Sequence, residues 1–148
     1  MKSGMKYFQL YLRLALGIDF IVLAVDRFGV WGKNGDPNVS WGDWKHFSEY
    51  AHQVMYFLPY SVAEIFAIIA TICELSFGIL LVVGLFTKWA AIGSGMLTFF
   101  FAASMIAAFG ITSPINYSVF VVSAASFLLA TIDQYKWSVD EWRLKKMI

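Results

Sequence analysis

The stretch from Val62 to Lys88 constrains this chain more than any other. It is apolar almost throughout, broken by Glu64 and a few small or polar residues, and Glu74 stands near its middle. About 25 helical residues rising about 1.5 Å each cross a hydrocarbon core of about 30 Å. Glu74 then falls near the bilayer midplane, where a charge costs at least about 2.5–3.5 kcal/mol.

The composition agrees with a lipid environment. Of 148 residues, 59% are hydrophobic and 14% charged, where a soluble domain carries about 25% charge. Six Trp suit interfacial belts. The net charge of +1 gives no basic face for nucleic acid. Cys73, the single cysteine, excludes an internal disulfide, a CxxC pair and a cysteine zinc site. The length suits one domain over 1–148.

The pattern predicts an all-α, four-transmembrane-helix bundle with helices over about 7–28, 61–86, 89–110 and 114–132. Arg13 and Asp19 interrupt the first apolar segment and no small-residue cleavage site follows, so it is expected to be retained and not a signal peptide. Between segments one and two, Gly and Asp36-Pro37 turns precede Ser40-Trp-Gly-Asp43, which reads as a capping box. It would open an aromatic-rich interfacial helix over about 41–57, ended by Leu58-Pro59. Ser61-Val-Ala-Glu64 reads as a second capping box, Ser113 as a cap with Pro114 at the first helical position, and Ser138-Val-Asp-Glu141 as the cap of a short terminal helix. Ala91-x-x-x-Gly95 and Ala103-x-x-x-Ala107 have the small-residue spacing of close helix packing.

Charge sets the expected topology. Lys2, Lys6, Lys88, Lys136, Arg143, Lys145 and Lys146 fall on one side; Arg27, Lys33 and Lys45 fall on the other. The positive-inside rule then places both termini in the cytoplasm and the Trp-rich loop outside. With this topology Asp19 lies about 18 Å beyond Tyr7, and Glu74 about 18 Å before Phe86, at matching depth. Arg13, about 9 Å inward of Asp19, can reach either acid or snorkel to the interface. Two readings stand side by side. Arg13, Asp19 and Glu74 form a polar binding site or proton relay near Cys73 and Ser76, or an Arg13–Glu74 ion pair fixes helix register.

His46, Glu49 and His52 are weak metal candidates, because i and i+6 do not share a helical face. No phosphate loop, nucleophile–base pair or transmembrane bis-histidine pattern is present, so no metal or cofactor is evident from motifs.

The chain resembles the DoxX family of small four-helix bacterial membrane proteins. The resemblance is carried by Leu12-Arg-Leu-Ala-Leu-Gly17, Asp26-Arg-Phe28, Glu74-x-x-x-Gly78, Gly84-Leu-Phe-Thr-Lys88 and Trp137-Ser-Val-Asp140. A histidine often found late in the family's first helix is absent. Gly17, Gly78, Gly84, Thr87, Lys88, Ser138 and Asp140 are the motif residues it marks as structural. The resemblance implies a multi-pass protein of the bacterial inner membrane that serves as an accessory or quinone-interacting, non-catalytic subunit of a quinol oxidase or related oxidoreductase complex. Quinone is the ligand it brings in, with a redox partner protein or a homo-oligomer as company. The competing expectation is a non-enzymatic binder or scaffold for a lipid or small apolar molecule, its buried charges structural only.

Overall fold

A computed structural model of the chain describes residues 4–146. Its elements are α1 (Met5–Asp26), α2 (Trp44–Val54), α3 (Tyr60–Val83), α4 (Thr87–Phe109), α5 (Thr112–Asn116), α6 (Val119–Ala130) and α7 (Val139–Lys146), with no strand among the described residues. Three of them, α1, α3 and α4, are long and apolar enough to cross a membrane.

The sorting of side chains on α3 is the reverse of a soluble helix. Ala63, Ala67, Ala70, Thr71, Glu74, Gly78 and Leu81 form its buried stripe, while Ile65, Phe66, Ile68, Ile69 and Ile72 face outward. Large apolar side chains cost nothing against lipid, and small ones let backbones approach. Gly17 and Gly78 show this most directly: a Cβ on either would lie 2.9 Å from the other's carbonyl oxygen. The α1–α3 crossing therefore requires hydrogen at both positions. The second main pairing is α4 with α6. There Gly95 lies against the Phe127 ring, and the Ser123 hydroxyl donates to the Gly95 carbonyl at 2.9 Å. Leu16, Phe20, Leu81, Ala91 and Leu129 close the core between the two pairs. A smaller cluster of Phe47, Ala51 and Ala67 seats α2 on the start of α3.

Several expected boundaries move. The segment expected as one helix over 114–132 is split into α5 and α6 at Tyr117–Ser118, where Ser118 has φ 55°. Asn116 and Ser118 are residues whose side chains compete for backbone hydrogen bonds and favour breaks. With 12 residues, α6 is about 18 Å long, shorter than a hydrocarbon core. Pro114 is the third residue of α5, not its first, and Ile111 precedes the helix in place of Ser113. α3 stops at Val83 because Gly84 turns left-handed at φ 73°. Asp43, not Ser40, caps α2, accepting from the His46 backbone N–H. α3 begins at Tyr60 behind Pro59, so Ser61 lies inside the helix and Glu64 is free for other partners. Ala91 and Gly95 are buried as a packing face, whereas Ala103 and Ala107 are exposed.

Candidate functional site

The first and last described residues share one end of the bundle, and α2 lies at the other. At the α2 end, Arg27 is the hub. It follows the last residue of α1, still in helical geometry. A helical side chain leans toward the N-terminus, so the guanidinium reaches back to the level of α3 and pairs with Glu74. A second guanidinium nitrogen donates to the Thr71 hydroxyl, which itself donates to the Ala67 carbonyl at 2.8 Å. From above, the Phe47 ring of α2 covers the cation at 3.7 Å. Arg27 and Glu74 are each about 4% exposed. One cation thus ties α1, α2 and α3 together.

Asp26 acts in the opposite direction, accepting from the backbone N–H groups of Ser40 (3.0 Å) and Trp41 (2.7 Å) and so folding the connection down onto α1. Glu64 receives the Trp44 indole N–H at 2.8 Å and the Ser48 hydroxyl, and lies 3.3 Å from His52 Nε2. α2 is fastened by polar as well as apolar contacts. Between these groups, a crevice of about 200 Å³ opens on the outer surface, lined by Phe28, Trp44, Ile68, Thr71 and Ile72. Its polar residue, Thr71, is the one bonded to Arg27. Among the described residues, Arg27 Nε has no hydrogen-bond acceptor.

Arg13 belongs elsewhere. It is buried at the end that carries the termini and donates to the Trp137 carbonyl at 2.8 Å, so the expected Arg13–Glu74 pair is replaced by Arg27–Glu74. Gln9, one turn earlier, donates to the Lys136 carbonyl at 3.0 Å. Asp140 completes a clasp: its carboxylate accepts from the Phe86 and Thr87 N–H groups at 2.9 and 2.8 Å. It caps α4 from 53 residues away, where Phe86, at φ 49°, supplies no cap of its own. The Asp140 N–H donates to the Gly84 carbonyl, and a Cβ on Gly84 would run into Ser138 and the Arg13 guanidinium. Ser138 caps α7 through the Glu141 N–H at 3.0 Å. Gly84, Thr87, Ser138 and Asp140 are therefore parts of one joint, while Lys88 is exposed. In the same joint, burial foremost, then the charges of Asp140 and Asp133, push the Tyr135 hydroxyl up to about 12.

Asp19 makes no hydrogen bond or ion pair among the described residues and is exposed on the outer face of α1, as Ser76 is on α3; Cys73 is half-buried. The three weak metal candidates take separate partners. His46 bonds Asp43, whose carboxyl that residue's N–H and ring hold below the usual range; Glu49 lies by Lys45 and His52 by Glu64. No cluster of three metal-ligating side chains occurs among the described residues.

The family model described as DoxX matches residues 8–108. No curated protein and no solved structure gives a match. The matched range holds Arg27, Thr71, Glu74, Gly17 and Gly78, and ends before the tail that supplies Asp140.

Proposed function

Since the chain belongs to the DoxX family, we propose that it is a quinone-interacting, non-catalytic subunit of a membrane redox complex, with the crevice beside Arg27 as its binding site. The observation that carries this reading is a surface crevice with aromatic walls, Phe28 and Trp44, whose Thr71 is bonded to a buried cation. Planar apolar rings suit such walls, and a carbonyl oxygen suits an N–H donor such as Arg27 Nε. Arg27 would hold the headgroup, while Thr71, whose hydroxyl hydrogen goes to the Ala67 carbonyl, and Glu74 would keep the guanidinium in place. A bound quinone would supply the electron-carrying chemistry; the protein's part is to orient its ring and exclude water.

This reading carries a topology with it. α5 and α6 together make the fourth crossing, both termini lie in the cytoplasm of a bacterial cell, and the α2 end faces outward. A second reading also has an observation behind it. Arg27 joins three helices at once, which is what a purely structural scaffold for a lipid or another small apolar molecule would need.

Quinone-analogue binding to the purified protein in nanodiscs separates the two. Wild type should bind saturably, and Thr71→Val should fold normally but bind at least about tenfold more weakly, because the Arg27 guanidinium loses the hydroxyl that positions it. Saturable binding unchanged in Thr71→Val would move the site elsewhere. No binding by folded wild type would leave the scaffold.

A further inference from the structure

We infer that the outer face of α1 around Asp19 docks a transmembrane helix of another protein, one that carries a basic side chain at the same depth. Gly17 and Ile21 both lie against Gly78, so Asp19, between them in sequence, sits at the level of Gly78 and one helical turn from Glu74. That is deep inside the span, where unpaired carboxylates do not face lipid without consequence. The other ionisable groups within the span are turned inward: Glu74 is closed off by Arg27, and Arg13 is buried against the tail. Asp19 alone among them is exposed, with Ile18, Val22 and Leu23 as its exposed apolar neighbours.

The chemistry of the face selects the occupant. An apolar strip with one central carboxylate is complementary to an apolar helix with one central cation, the arrangement in which membrane helices use buried charge. A second copy of this chain does not meet that description. Arg13 and Arg27 are buried and engaged, Lys33 and Lys45 lie in the α1–α3 connection, and the remaining described lysines and Arg143 lie at the tail end. A second α1 would bring only a second carboxylate to this depth. The inference stands apart from the quinone site, since Asp19 does not line that crevice.

The test uses the full-length protein in lipid vesicles with two synthetic leucine–alanine transmembrane peptides, identical except for a central Lys or a central Leu. Energy transfer between labelled protein and peptide reports association. Wild type should favour the Lys peptide by about tenfold, and Asp19→Leu should lose that preference; Asp19→Asn serves if the leucine variant fails to fold. Equal association of both peptides, or a preference that survives both substitutions, would overturn the proposal. So would single-molecule photobleaching that shows dimers of this chain dissolved by Asp19→Leu, which would make a second copy the occupant.

Discussion

Arg27 shows how one side chain can decide the character of a polar centre. Its Cα lies at the end of α1, where a cation is expected at an interface, but its guanidinium is drawn back into the bundle by the lean of helical side chains. Removing one partner of a buried ion pair strands the other charge. Glu74→Ala should therefore lower stability by about 3–5 kcal/mol. The double replacement Arg27→Met/Glu74→Leu should recover most of that loss, because no charge is left unpaired. Denaturant titration of the three proteins in mixed micelles checks this; a double variant no more stable than Glu74→Ala would show that the pair itself, not the stranded cation, supplies the stability. The carboxyl's place inside the bundle was legible, since Ala67, Ala70, Glu74, Gly78 and Leu81 recur at helical spacing. Its partner was not. Arg13 lies within α1 and Arg27 just past its end, and depth counted along the chain favours Arg13 until the side-chain direction at the helix end is known.

At the scale of elements, the tail is held by charge where the spans are held by small residues. α7 is eight residues long, too short to be stable alone; Asp140 joins it to the bundle, and Glu141 ties it back onto the Lys136–Trp137 turn before it. The Lys136 ammonium foremost, then the Trp137 N–H and Lys145, hold that carboxyl down to about 2, against an ordinary 4.5. A carboxyl whose folded value is lowered stabilises the folded form above its unfolded value and loses that contribution as the pH falls toward the folded one. This tie within the tail should therefore be intact above about pH 4.5 and loosen progressively toward about pH 2. Acrylamide quenching of the exposed Trp137 and Trp142 should rise through that window, and Glu141→Gln should show the raised quenching already at neutral pH. Quenching that is flat with pH in wild type would mean that Glu141 does not hold α7 to the turn before it. The Ser138 cap could be read from sequence, but the service of Asp140 to α4 could not: no local pattern indicates that a carboxylate fits an N-terminus 53 residues away.

For the whole molecule, the arrangement gathers both described termini at one end and α2 with its aromatic cover at the other. If α5 and α6 complete a fourth crossing, these ends face opposite compartments. In a Cys73→Ser background, Lys33→Cys should react with a membrane-impermeant maleimide on intact cells, and Gln134→Cys should react only after permeabilisation. Equal labelling of both on intact cells would place the two ends on one side and remove the fourth crossing.

Hydropathy and length were enough to establish a helical membrane protein with spans near α1, α3 and α4, because an apolar run of that length has few other solutions. Glycine and carboxylate positions in the DoxX motifs marked where the helices matter to one another. Only the tertiary structure assigned those positions their work: Gly17 to Gly78 at a backbone crossing, Glu74 to Arg27, Arg13 and Asp140 to the tail joint, Asp19 to the outer face. The reason is directional. Periodicity along one helix tells which residues share a face, but the angle and register between helices decide what that face meets.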